Sequence, residues 1–104
     1  FIRDRSVTLE VCPTSNVCLC VAPSMERHPL PHLMDAGISV TIASDDPALF
    51  STTLTDEYRA ASHWFGMDEQ ALAALSINAV RASLLPDEER TELERAFTTE
   101  FDSL

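Results

Sequence analysis

The stretch Ile38-Ser39-Val40-Thr41-Ile42-Ala43-Ser44-Asp45-Asp46-Pro47 decides the fold. β-Branched residues dominate its first six positions, and Val40 and Ile42 alternate with small or hydroxyl-bearing partners. Branching at Cβ suits a pleated, extended backbone, so these residues form a strand. Pro47 ends it, because proline lacks an N–H and biases Asp46 away from the helical region. Upstream, Ser6 to Val11 is a second β-rich run, with Val7, Leu9 and Val11 on one face, and it ends near Cys12 in the turn-prone Cys12-Pro13-Thr14-Ser15-Asn16. Between Val11 and Ile38 lie 26 residues, far more than a hairpin needs and enough for the crossover of a parallel pair. Parallel strands are covered on both faces inside larger α/β sheets and barrels. Two such strands do not make a stable sheet alone, and the expectation is that more of the sheet lies outside this sequence than in it.

Helical patterns fill the rest. Val17 to Pro31 is irregular and interrupted by Pro23, Pro29 and Pro31, whereas Pro31 to Ala36 suits a short helix closed by Gly37. Thr53 with Asp56 three residues on is a capping pair for a helix running to Phe65 and stopped by Gly66. Asp68 caps a second helix to Ser83, with Leu72, Leu75, Ala79 and Ala82 at helical spacing. A third begins at Pro86, places Asp87, Glu88 and Glu89 at the positive end of the helix dipole, and carries Leu93, Phe97 and Phe101 as its apolar stripe. No internal repeat or low-complexity tract interrupts residues 1–104, which read as one unit without a second domain.

Composition narrows the function. The 104 residues carry 17 acidic side chains against seven basic ones, all Arg, for a net charge of −10. That field repels phosphate backbones and anionic lipid, which disfavours nucleic acid and membranes as partners and leaves neutral or cationic small molecules. No run approaches the roughly 18 apolar residues of a membrane span, and no signal peptide opens the chain, so a cytoplasmic location is expected. Cys12, Cys18 and Cys20 are an odd number without a secretion signal, which makes them free thiols, read as buried packing residues. With only Gly37 and Gly66, the chain has no phosphate-binding loop, dinucleotide fingerprint or nucleophile elbow.

The candidate chemistry sits at Asp45 and Asp46, two carboxylates at the C-terminal end of a buried parallel strand, where barrels and open α/β sheets assemble their active sites. One could ligate a metal while its neighbour holds substrate; equally, Asp-Asp-Pro is a polar turn capping a strand. An aspartate as the local ligand suits a divalent ion whose histidine ligands come from elsewhere. His28 and His32, four apart but flanked by prolines, cannot share a helical face and read as solvated loop residues; His63 beside Trp64 reads as a surface or packing residue. A competing reading from another class is a small structural zinc module built from Cys18, Cys20, His28 and His32. Its one-residue cysteine spacing argues against it.

In order along the chain, Leu9-Glu10-Val11-Cys12-Pro13-Thr14-Ser15-Asn16, His28-Pro29-Leu30, Asp35-Ala36-Gly37-Ile38-Ser39-Val40, Ser44-Asp45-Asp46-Pro47-Ala48-Leu49-Phe50, Leu54-Thr55-Asp56-Glu57-Tyr58 and Asn78-Ala79-Val80-Arg81-Ala82-Ser83 resemble the adenosine deaminase family, which includes adenosine, adenine and aminodeoxyfutalosine deaminases. The resemblance covers about residues 7 to 95. It implies the C-terminal portion of a (β/α)₈ TIM barrel, an α/β fold: the seventh and eighth strands with the closing helices. It also implies a zinc-dependent hydrolase that deaminates an adenine-bearing purine nucleoside or base at C6 and releases ammonia, with one zinc ion activating water and a glutamate moving the proton. Carried over residue by residue, Asp45 matches the aspartate that completes zinc coordination and Asp46 the one that hydrogen-bonds the purine. Cys12, Pro13 and Ser15 match the end of the seventh strand and line the mouth. The family's other zinc ligands and its acid/base glutamate and histidine have no counterpart here, and Glu10, inside a strand, is not a substitute. No catalytic residue is therefore expected in this chain, which should be inactive alone, either as part of an enzyme whose remaining strands lie in the same or another chain, or as a non-catalytic remnant.

Overall fold

The computed structural model describes all residues from Phe1 to Leu104. Strand β1 (Leu9–Val11) leads into helix α1 (Pro13–Cys18), and a loop connects to α2 (Leu30–Asp35) and strand β2 (Val40–Ile42). A single turn, α3 (Pro47–Phe50), follows, then α4 (Leu54–Phe65), α5 (Glu69–Ala82) and α6 (Asp87–Asp102). The strands pair in parallel with Leu9 opposite Val40, Glu10 opposite Thr41 and Val11 opposite Ile42. The crossover predicted from 26 intervening residues is thus present.

Both strands are shorter than their sequence patterns. Each pairs along one edge only, so the ladder ends where its single partner ends; flanking bonds from Leu9 N–H to the Ser39 carbonyl (2.9 Å) and from Ala43 N–H to the Val11 carbonyl (2.9 Å) extend it by one residue at each end. Val40, Thr41 and Ile42 are all buried, as expected of a strand covered on both faces, whereas β1 exposes Glu10 and buries Val11. Val7, assigned by the alternation to β1, lies before the strand and is half exposed.

Two helices were not legible as such. Cys12 to Asn16 reads as a turn, yet Pro13 occupies the first position of α1, where its missing N–H costs nothing and its fixed φ is already helical. Likewise Asp46 caps the single turn α3 behind Pro47, accepting from Leu49 N–H at 2.9 Å. The short helix before β2 starts one residue earlier than its pattern, at Leu30, which is fully buried.

The longer helices follow their signals. Thr53 Oγ1 accepts from Asp56 N–H at 3.1 Å to start α4, and Gly66 ends it in the left-handed region at φ 65°. Asp68 caps α5 by accepting from Ala71 N–H at 2.8 Å. The buried face of α5 is rotated from the expected stripe: Leu75 and Val80 are buried, while Ala79 and Ala82 are exposed. Alanine satisfies the apolar spacing but contributes little area, so the larger side chains set which face packs. α5 lies across β2, and Asn78 Nδ2 donates to the Val40 carbonyl at 3.1 Å. Pro86 stands just before α6, and Phe97 and Phe101 pack edge to face with centroids 6.0 Å apart on its half-buried stripe.

The core joins Val11, Leu30, Val40, Ile42, Ala61, Met67 and Leu75. It is thin: 15 of 104 residues are buried. The accessible surface is 7066 Å², against about 5,800 Å² for a monomeric protein of 11.5 kDa. The exposed surface includes Leu84, fully exposed between α5 and α6. No helix is long and apolar enough to cross a membrane.

Candidate functional site

Because β1 and β2 run parallel and in register, Val11 and Ile42 end side by side, and the segments that leave them, Cys12–Ser15 and Ala43–Asp46, form one shared rim. Asp45 stands on this rim with φ 57°, a left-handed conformation that costs a non-glycine residue about 1–3 kcal/mol and persists only where surrounding contacts enforce it. One such contact is direct. Ser15, buried in α1, donates its hydroxyl to Asp45 Oδ2 at 2.7 Å. Asp45 Oδ1 takes no hydrogen bond from the chain, and the side chain is open to solvent at the strand ends. The carboxylate is therefore fixed by one oxygen and presents the other.

Asp46 is extended (φ −101°, ψ 95°), as Pro47 dictates, and its Oδ1 is occupied as the cap of α3. Its other oxygen is free on the same rim. Cys12, between the strand end and α1, lies beside Asp45: burial first, then the Asp45 carboxylate, push its thiol above the ordinary range, while the Asp45 backbone N–H opposes that rise.

Beneath the rim are polar residues whose roles the sequence did not disclose. Glu57, on α4, is completely buried; its Oε2 accepts from Thr14 N–H at 3.1 Å and its Oε1 from the Thr52 hydroxyl at 2.8 Å. His28, expected in solvent, is buried. Its Nδ1 accepts from Leu30 N–H at 3.0 Å, which leaves the proton on Nε2 to donate to Asn16 Oδ1 at 3.0 Å, and the ring lies 5.5 Å from that of Phe65. Burial lowers its pKa, with Glu57 pulling the other way. The signal available beforehand was that Asn16, His28 and Glu57 each fall within one of the motif blocks, residues 9–16, 28–30 and 54–58, that carry the resemblance.

The structural zinc module finds no support in this geometry. No three His, Cys, Asp or Glu side chains come together to hold a metal ion. Both nitrogens of His28 are engaged within the fold, and His32 is exposed on α2. Cys18 and Cys20 are free thiols, but they are exposed and not packing residues, because α1 ends there and Cys20 turns away at φ 58°. His63 is a surface residue set edge-on to Trp64, as expected. Asp45 therefore stands apart from any cluster of candidate donors within this chain, and a single anchored carboxylate could fill at most one position of a divalent coordination shell.

The family model for adenosine deaminase matches residues 1–99. The chain belongs to the adenosine deaminase family. Among relatives of this family, it is 47% identical over 92 residues to an adenine deaminase of Chelativorans sp., covering 88% of this chain and 28% of that protein. It is 44% identical over 84 residues to an aminodeoxyfutalosine deaminase of Streptomyces coelicolor, covering 81% of this chain and 22% of the relative. The chain thus spans less than a third of the length of these adenosine deaminase family members. The crystal structure of adenine deaminase from Arthrobacter aurescens superposes with a TM-score of 0.91 at 30% identity, over 97% of this chain and 31% of that one. An Arabidopsis structure, ADAL complexed with IMP, superposes at 0.90 with 25% identity, over 98% and 30%. The fold is accordingly the portion of an adenosine deaminase-type (β/α)₈ barrel that holds the last two βα units and the closing helices, as the resemblance implied.

Proposed function

We propose that this chain forms one side of the active site of a zinc-dependent purine deaminase, in which Asp45 is a zinc ligand and Asp46 binds the purine ring. One observation carries the reading: Asp45 is held in a strained backbone at the shared end of two parallel strands, with Oδ2 anchored by Ser15 and Oδ1 presented. Anchoring one oxygen lowers the entropy lost when the other takes up a cation, the usual arrangement by which an outer partner orients a ligating carboxylate. Zinc in that position supplies the acidity that makes a water molecule nucleophilic at neutral pH. Asp46, fixed by capping α3, turns its free oxygen toward the purine as a hydrogen-bonding partner and so orients the carbon to be attacked.

The substrate is a nucleoside or base containing adenine, in keeping with what the relatives are named for, and the products are the 6-oxopurine and ammonia. The remaining zinc ligands and the acid/base residues belong to strands this chain does not contain. The chain therefore works as part of a complete barrel and is inactive alone; the surface excess of the fold supports that need for further structure. Free thiols and an acidic surface fit a cytoplasmic enzyme.

The test uses the complete barrel protein. Asp45→Ala should lower zinc content and ammonia release together, since a four-ligand site loses an anionic donor. Asp46→Ala should keep the zinc and lose turnover and purine affinity. Normal zinc content and a wild-type rate in Asp45→Ala would leave this chain as a non-catalytic remnant.

A further inference from the structure

We propose that Glu57 is a positioning residue for Asp45, acting through the first turn of α1. The role rests on Asp45 being a zinc ligand and extends it to a side chain that touches neither metal nor substrate.

α1 has no cap of its own: Cys12 stands at its N-cap and makes no side-chain bond to the helix. A short helix with free N–H groups at its start frays unless something remote accepts from them. Glu57 does so, reaching 43 residues back along the chain to take the N–H of Thr14. The next residue is Ser15, whose hydroxyl meets Asp45 Oδ2. One residue therefore separates the amide that Glu57 holds from the donor that orients Asp45.

The second oxygen fastens the other side of the rim. Thr52, which donates to Oε1, lies between α3 and α4, and its own N–H is bonded to the Pro47 carbonyl at 3.1 Å. Pro47 opens the turn that Asp46 caps. A single carboxylate thus ties together the segment following β1 and the segment following β2, the two that carry Ser15 and the Asp45–Asp46 pair.

Complete burial suits this task. A carboxylate with both oxygens accepting is satisfied without water, and neither donor can be released without stranding a buried polar atom. Glutamine can keep both contacts, its oxygen accepting from the Thr14 amide while its N–H donates to the Thr52 hydroxyl, which reverses; leucine, of similar size, removes both acceptors.

The experiment is made on the complete barrel protein with Glu57→Leu, Ser15→Ala and their combination. In the metal-free Glu57→Leu crystal structure, the Ser15 Oγ to Asp45 Oδ2 separation should exceed about 3.5 Å, the limit of a hydrogen bond. Zinc affinity, measured by chelator competition, should fall about 10- to 100-fold in Glu57→Leu, and the double variant should be no weaker than the worse single one. Tyr58→Phe, which removes the 2.9 Å bond from the same helix to Ser76, should leave zinc affinity unchanged and so separates positioning from general loosening of α4. An intact Ser15–Asp45 bond with wild-type zinc affinity in Glu57→Leu overturns the proposal, as do costs that simply add in the double variant. If Glu57→Leu does not fold, Thr52→Val takes its place; it removes one of the two donors, and unchanged zinc affinity there overturns the proposal equally. Loss of zinc in Asp45→Ala with none in Glu57→Leu sinks only this inference, whereas zinc retained in Asp45→Ala sinks the reading of the site beneath it.

Discussion

Around the strand ends, Glu57, Ser15 and His28 find their partners 43, 30 and 12 residues away, whereas Thr98, Thr99 and Ser103 on and after α6 bond to carbonyls three or four residues back. The rim buries polar groups and holds a strained aspartate. α6 buries nothing completely and joins α5 through an exposed pair, Arg81 with Glu94 at 2.6 Å. The difference separates two tasks. Non-local hydrogen bonds between buried groups fix where the rim carboxylate points, while a helix on the outside of the fold needs only its own periodicity and a strip of apolar contact.

The sharpest way to break the comparison is to damage the apolar layer and ask whether the rim survives. Leu75 on α5 is almost fully buried against β2's layer of the core. Leu75→Ala should cost about 2–5 kcal/mol of stability in chemical denaturation, through lost burial and the cavity left behind. If the rim is fixed by its own bonds, zinc content of the folded variant remains normal; a parallel loss of zinc would make the two regions one cooperative unit.

A second, smaller effect comes from within the rim. His28 is buried with Nδ1 accepting a backbone N–H, and a proton there would oppose Leu30's donor. Burial holds its folded pKa below the ordinary imidazole value of about 6.5, so the unfolded chain takes up a proton first as pH falls. Stability should thus be level above about pH 6.5 and decline from there toward the folded pKa. Denaturation midpoints between pH 7.5 and 5.5 measure the slope, and His28→Gln should flatten it. A flat wild-type profile would mean that burial does not hold the ring neutral.

The smallest effect belongs to the outside of the fold. Glu94 holds the Arg81 guanidinium above its ordinary pKa, and Arg81 in turn lowers the Glu94 carboxyl, but both groups meet solvent. Arg81→Ala should lower the melting temperature slightly at low salt and not at all at high salt, since exposed pairs are screened. A large, salt-independent drop would show that the hairpin of α5 and α6 depends on this pair.

The same contrast explains what the sequence disclosed. Thr53, Asp68 and Gly66 act on neighbours three to five residues away, so the starts of α4 and α5 and the end of α4 were readable within a short window. The strands were readable because β-branched side chains report burial on both faces. α1 was not, since Pro13, Ser15 and Asn16 count as turn residues until Ser15 and Asn16 are seen to spend their side chains on Asp45 and His28. Glu57 looked like an ordinary acidic residue in the first turn of a helix. Nothing local distinguishes it, because both of its donors come from other segments. The positions of Asp45 and Asp46 at a strand end followed from the pattern, but the unequal use of their oxygens did not.

The left-handed backbone at Asp45 also decides what each replacement there would mean. Aspartate and asparagine tolerate positive φ better than other non-glycine residues, and glycine adopts it freely. Alanine at this position therefore alters two things together, removing the anionic donor and raising the conformational cost of the rim. Asparagine removes only the charge, and glycine removes the side chain while relaxing the turn. A series of all three would apportion any defect between chemistry and backbone geometry, which a lone alanine variant leaves entangled.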